Sequence, residues 1–270
     1  MVKLVELNID ERKSALTKLL RHVVKILNDN DIQFFLYYGT LLGAVRHEGF
    51  IPWDDDVDLA MHRSEYDKLK NVDWSSEELK LISPQISKDC PYMLSKIVDA
   101  SYFLIEDMDC AGGATGLNID VFPIDPVDGR FYFLSHWVFF VANVLQSAKV
   151  VRLNNHRSKI KNFILRFLKY ITMPIPLGFI TSSIDKFSKN STDDGLLMGN
   201  RSGPYGFREI TSRKYFDKIA SVKFEGMSLP APEEYNLILK NLYGDDYSKL
   251  PPIQNRSTHH ATKVFKKTLL

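Results

Sequence analysis

Cysteine is scarce in this chain of 270 residues: Cys90 and Cys110 are the only two. With no CxxC spacing they exclude a disulfide framework and a zinc finger or ribbon. Net charge is nearly absent as well. A formal charge of +2 excludes a protein that binds nucleic acid through its overall charge. Long apolar runs are missing: the most apolar stretch, Phe131 to Leu145, is interrupted by Ser135, His136 and Asn143, and falls short of the ~20 residues that span a bilayer. The first ten residues carry no basic head followed by an apolar segment, so a cytoplasmic protein is expected. Apolar residues make up 44% of the chain, enough for a buried core, and disorder is not the default expectation.

A local absence is more informative. From Phe131 to Ile184 there is no Asp or Glu, while Lys149, Arg152, Arg157, Lys159, Lys161, Arg166 and Lys169 are present. Within this window Ile160, Phe163, Ile164, Phe167, Leu168 and Ile171 form a helical stripe that Pro174 and Pro176 stop. Two readings stand with equal weight, a helical insertion packed on the domain or an interfacial helix on an anionic membrane. The expected organisation is a catalytic core over 1–130, a basic and apolar helical insertion over 131–201, and a C-terminal part, 202–270, that completes a single catalytic domain.

What is present begins with an amphipathic helix. Leu16, Leu19, Leu20, Val23, Val24 and Leu27 share one stripe, with Asp10 as the expected N-cap. Ile32 to Tyr38 reads as a buried strand ending at Gly39, Thr40 to His47 as a short helix, and Ser64 to Asn71 as another. Residues Asp56 to Met61 alternate as in a half-buried strand, which projects Asp56 and Asp58 to one side. Further strands are expected at Leu79 to Ser83, Met93 to Asp99 and Leu117 to Phe122, then a hairpin around Glu225-Gly226. A helix from Pro232 to Leu242 is closed by Gly244. The basic tail Lys263 to Lys267 reads as solvated.

The chemistry concentrates in Asp54, Asp55, Asp56 and Asp58. Four carboxylates within five positions repel one another, and a divalent cation is what most readily neutralises them. An EF-hand loop, with Glu65 as its final acid, would need glycine where Leu59 stands. Two acids on one strand face, preceded by the Gly39-Thr40 turn and joined by Asp120, give three carboxylates able to hold magnesium, with manganese as the alternative, against phosphate oxygens. The backbone N–H groups after Gly39 can approach a phosphate closely. Arg46 and Lys96 are candidate phosphate-neutralising cations, weighed evenly against surface ion pairs. Trp53, Tyr37 and Tyr38 are candidate walls for a quaternary ammonium, set against the commoner reading of core aromatics.

The run Gly39-Thr40-Leu41-Leu42-Gly43-Ala44-Val45-Arg46-His47, continued by Gly49-Phe50-Ile51-Pro52-Trp53-Asp54-Asp55-Asp56-Val57-Asp58, resembles the signature of the LicD family, relatives of fukutin in the nucleotidyltransferase-like superfamily. The resemblance extends through Lys96-Ile97-Val98-Asp99, Asn118 to Pro123, Phe224-Glu225-Gly226, and Tyr243 to Tyr247 with Pro251-Pro252. It does not cover Phe131 to Arg201. It implies an α/β (α+β) nucleotidyltransferase-like fold, a mixed β-sheet flanked by helices, with Asp56 and Asp58 as the acid-x-acid pair and Asp120 as the third acid.

The resemblance further implies transfer of a phospho-alcohol, typically phosphocholine, from CDP-choline or a related CDP-alcohol to a glycan hydroxyl. The acceptor would be a lipid-linked cell-surface glycan, such as a teichoic acid or lipopolysaccharide precursor, met at the inner face of the membrane. In that reading Asp56, Asp58 and Asp120 bind the metal and carry catalysis, Asp54 supports the metal, and Asp55 points away. Gly39, Thr40, Arg46, Trp53 and Lys96 would contact the donor. His259 and His260 resemble a histidine often found there in the family, set against a neutral surface pair. Nucleotidyl transfer and a non-catalytic membrane-associated scaffold are the alternatives.

Overall fold

The computed structural model describes residues 2–76, 78–87, 89–105, 116–128, 132–150, 159–189, 195–256 and 263–269. Strand β1 (Val2–Glu6) leads into helix α1 (Ile9–Asp29). The cap is Asn8 rather than Asp10: Asn8 Oδ1 accepts from the Glu11 N–H and Glu11 returns the contact to the Asn8 N–H. This reciprocal box satisfies two end donors that Asp10, already in the first turn, cannot reach. The stripe predicted for α1 is buried at Leu16, Leu19, Leu20, Val23 and Leu27.

The expected strand at Ile32 to Tyr38 shortens to β2 (Phe35–Leu36), because helix α2 (Tyr38–His47) begins two residues earlier than expected. Strand β3 (Asp58–His62) starts two residues later than expected and is buried on both faces. Its place between two neighbours in the main sheet explains that burial, and Asp56 belongs to the loop before it. The predicted helix at Ser64 to Asn71 resolves into α3 (Arg63–Tyr66) and a separate turn of tighter helix. Strands β4 (Leu79–Ile82), β5 (Ser95–Asp99), β6 (Tyr102–Ile105) and β7 (Leu117–Val127) follow.

Three helices then leave and return: α4 (Tyr132–Val150), α5 (Lys159–Thr172) and α6 (Leu177–Lys189). The chain rejoins the sheet at β8 (Leu197–Gly199), which pairs with the end of β7 and with β9 (Thr211–Ser212). The hairpin β10 (Ile219–Phe224) and β11 (Met227–Pro232) turns at Glu225 and Gly226 as expected. Helix α7 (Tyr235–Tyr243) ends at Gly244, whose φ of 94° suits glycine. The basic tail is not a solvated segment: β12 (Lys263–Leu269) lies between β1 and β6. Backbone pairing on both sides, with Val264 buried, outweighs the solvation of its lysines.

The main sheet is mixed, in the order β2-β3-β7-β5-β4. Its β3–β7 pair is parallel, while β2–β3, β5–β7 and β4–β5 are antiparallel. Helix α1, α2 and the hairpin close over it around Leu20, Val23, Leu41, Leu59, Ile119 and Phe224. A second apolar cluster joins Phe35, Tyr37, Tyr38, Phe122, Phe216 and Ile238.

The helical excursion is tied to this core. Arg63 forks the Asp125 carboxylate at 2.6 and 2.7 Å and also donates to Asp185 of α6 at 2.6 Å. Gln146 of α4 donates to the Pro91 carbonyl, and Thr181 of α6 donates to that of Cys90. By contrast α5 turns apolar side chains outward: Phe163 is 71% exposed and Phe167 57%. Among the described residues no single helix is long and apolar enough to cross a membrane. Cys90 is buried with its thiol donating to the Tyr92 carbonyl, whereas Cys110 lies outside the described residues.

Candidate active site

The register of the sheet places the chemistry. Asp58 of β3 stands opposite Asp120 of β7, and Asp120 stands opposite Lys96 of β5, so the three form one row across three adjacent strands. Residues directly opposite share a face, which puts two carboxylates and one ammonium side by side. Lys96 Nζ reaches both oxygens of Asp120, at 2.6 and 2.9 Å, and Asn118 Oδ1 at 3.1 Å. The Tyr92 ring lies 4.8 Å from the same nitrogen.

The glycine turn is laid against these acids. Gly39 and Thr40 open α2, and Thr40 Oγ1 accepts from the Asp58 N–H at 2.8 Å, which fixes the turn to the first residue of β3. A methyl group on Gly39 would stand 2.7 Å from Asp54 Oδ2 and 3.8 Å from Asp58 Oδ2. Only glycine lets the carboxylates approach the chain there.

Tyr38, just before it, has φ 41°, a left-handed conformation costing roughly 1–3 kcal/mol for a bulky residue. It is held by a hydrogen bond to Glu209 at 2.7 Å, one from Asn200 at 3.0 Å, and ring contacts to Phe122 at 4.9 Å and Tyr205 at 5.7 Å.

The electrostatics of the acids follow from crowding. Burial, then Asp56, then Asp120 and Asp54 push the Asp58 carboxyl well above its usual range, with Lys96 opposing. Asp54 is pushed up to about 7, by burial first and then by Asp56. Surplus negative charge in a hard-oxygen set is the environment that suits magnesium or manganese. Among the described residues no three such side chains converge into a ready-made cage. The donor chemistry is of the kind that suits a divalent cation, with Asp58 and Asp54 the most crowded of the acids.

Asp55 is turned from this row, as expected, but it is neither idle nor solvated. It is 3% exposed and accepts from Arg12 Nη1 of α1 at 2.5 Å. The remaining sequence candidates separate. Arg46 sits about 10 Å along α2 from Gly39 and donates to His47, to the Tyr247 carbonyl and to the Lys249 carbonyl. Trp53 is partly exposed beneath the Arg256 guanidinium at 5.3 Å. Tyr37 and Tyr38 are not ligand walls open to solvent but core residues, 0% and 5% exposed, because the β2–α2 corner is packed into the second apolar cluster. His259 and His260 lie outside the described residues.

Two residues the sequence reading missed face the acids. The Tyr205 and Tyr243 rings meet edge to face at 5.3 Å. Both phenols are raised by burial first, and Asp58 and Asp54 push each further in the same direction. Tyr243 opens a segment quoted for the family resemblance, which was a usable signal; Tyr205 follows the helical excursion and had none.

Residues 31–157 match the LicD/FKTN/FKRP nucleotidyltransferase domain. The lipopolysaccharide cholinephosphotransferase LicD of Haemophilus influenzae is 26% identical, over 96% of this chain and 98% of its own length. Human ribitol 5-phosphate transferase FKRP is 28% identical over 43% of this chain and 21% of its own. An uncharacterized Rickettsia typhi protein is 46% identical over 21% of this chain and 19% of its own. The matched segment contains the Gly39-Thr40 turn and the whole Asp58–Asp120–Lys96 row, so this part of the chain carries the LicD/FKTN/FKRP nucleotidyltransferase domain.

Proposed function

We propose that this LicD-family phosphotransferase moves a phospho-alcohol, phosphocholine or a chemical relative, from a CDP-linked donor to a hydroxyl of a lipid-linked cell-surface glycan. The observation that carries the reading is the row Asp58–Asp120–Lys96 with the Gly39-Thr40 turn against it. Relatives named for choline phosphate and ribitol 5-phosphate transfer support the class of cargo.

In this mechanism the acceptor hydroxyl oxygen forms a bond to the phosphorus that bears the alcohol. The bond from that phosphorus to the oxygen bridging to the cytidylate breaks, and CMP leaves. Asp120 takes the hydroxyl proton; Lys96, bonded to both its oxygens, holds the carboxylate in place. Asp58, Asp56 and Asp54 would hold a magnesium or manganese ion, which when bound screens the diphosphate charge. The N–H groups opening α2 approach the same phosphates. Arg46 and Trp53 would border the donor site from the far end of α2.

Helices α4 to α6 would rest on an anionic membrane surface, on the cytoplasmic side. The acid-free, basic stretch and the outward apolar face of α5 support this.

The test measures CMP release and the mass gained by the acceptor. Asp58→Asn and Asp120→Asn, each folded by circular dichroism, are expected to lose about 100-fold or more in rate. Wild-type rates in both variants would refute the assignment. An acceptor that gains a nucleoside monophosphate instead would convert the reading to nucleotidyl transfer.

A further inference from the structure

A second concavity lies along β7 from the acids. It encloses about 400 Å³, the size of a small-ligand site, between α4 and the segment 200–206. Phe122 lines it, and Phe122 is two residues past Asp120 on the same strand face, roughly 7 Å along the strand. Asn200 lines it too, while its amide holds the Tyr38 hydroxyl beside Gly39. The cavity therefore adjoins the transfer site through two shared side chains.

Arg201 enters its wall in an unusual state. The guanidinium is stacked between Phe139, at 4.5 Å, and Phe187, at 5.4 Å from the ring centres. Its Nη1 is buried and has no hydrogen-bond partner among the described residues. Burial holds its pKa below the usual arginine value, opposed by Asp125. Asp125 is already forked by Arg63, and its contact with Arg201 is electrostatic rather than bonded. A guanidinium held by two rings on the wall of this cavity offers an external oxyanion a planar fork that matches phosphate. Asn143, Ser147 and Ser202 add hydroxyl-recognising groups, and Phe122 a flat apolar face.

We propose that this cavity seats a phosphorylated sugar of the acceptor, its phosphate on Arg201 and its ring against Phe122, so that a free hydroxyl points along β7 toward Asp120. The proposal rests on the phosphotransferase reading and names the acceptor as anionic. It gives α4 a second role: one face builds the acceptor seat while Val141 and Val144 stay exposed beside it.

The experiment titrates the full chain with glucose 6-phosphate and with glucose, by calorimetry in magnesium-free buffer. Glucose 6-phosphate is expected to bind at least tenfold tighter than glucose. Arg201→Gln should erase that preference, and Arg201→Lys should restore only part of it, because an ammonium lacks the fork. In transfer assays Arg201→Gln should raise the acceptor KM about tenfold with the donor KM unchanged.

Equal binding of the two sugars by the wild type, or an unchanged preference in Arg201→Gln, overturns the proposal. Should Arg201→Gln fail to fold, Asn143→Ala decides by the same readouts, a wild-type affinity there being the overturning result. Asp58→Asn separates the two readings. Retained sugar-phosphate binding with transfer lost supports both, and loss of the probe's binding in that variant would place it in the donor site and overturn this one. Retained binding with normal transfer in Asp58→Asn would sink the phosphotransferase reading alone.

Discussion

The buried pair Arg12–Asp55 allows a sharp stability prediction. Its two atoms are 2.5 Å apart, with 11% and 3% of the respective side chains exposed, so water screens the pair little. Removing one partner of such a pair strands the other, at a cost of about 3–5 kcal/mol. The two deletions should not be equal. Arg12 is also held by Asp56 and Asp54, so Asp55→Asn leaves it partly compensated and should cost about 3 kcal/mol. Arg12→Met strips the cation from three acids, Asp55, Asp56 and Asp54, and should cost about 5 kcal/mol.

Replacing both partners with apolar side chains, Arg12→Met with Asp55→Leu, removes the stranded charge and should cost at least ~2 kcal/mol less than the sum of the singles. Urea unfolding at neutral pH, with a common m-value across the four proteins, measures each difference. Additivity of the two single substitutions within about 0.5 kcal/mol would refute the reasoning, because independent sites add in that way. A larger loss for Asp55→Asn than for Arg12→Met would refute the asymmetry.

Two further outcomes follow from the site's surroundings. Glu209 is buried, and burial pushes its carboxyl up to about 8 from 4.5, against hydrogen bonds from Tyr38 and the Tyr205 N–H. The folded state thus binds its proton more tightly than the unfolded chain; the associated stability is full below about pH 4.5 and lost as pH rises through about 8, by at most ~5 kcal/mol at ~1.4 kcal/mol per unit. Urea midpoints should fall between about pH 5.5 and 8.5 for the wild type and fall less for Glu209→Gln, in which the raised Asp54 carboxyl still titrates; equal slopes would dismiss the assignment. For the membrane face, Phe163→Ser with Phe167→Ser should weaken partitioning onto anionic vesicles by about tenfold and leave CMP release with a water-soluble acceptor unchanged, whereas equal binding of the wild type to neutral and anionic vesicles would count against that face.

The signature run was legible because its chemistry is local. Glycines, a threonine and acids at short spacing define a turn and a strand start without reference to the rest of the chain. Asp120 was legible as the one acid between apolar neighbours in a strand, and the parallel β3–β7 register sets it opposite Asp58. Asp55 was harder: nothing in an acidic run says which member will meet an arginine 43 residues earlier. The β12 strand was hidden because its lysine content reads as solvation, while its pairing with Val2–Glu6 depends on residues at the other end of the sequence. Tyr205 and Arg201 escaped for a similar reason. They follow the helical excursion, and only the return through β8 brings them beside Tyr38 and Phe122.

The Arg63 fork has a mechanical consequence. Asp125 lies five residues beyond Asp120 on β7, and Arg63 joins it to Asp185 on α6. Load applied to α6 is delivered through two charged contacts to the strand that carries the acid row. The excursion is in this sense a lever with its fulcrum at Arg63, not a slack tether. Any contact that α6 makes is thereby coupled to the position of β7.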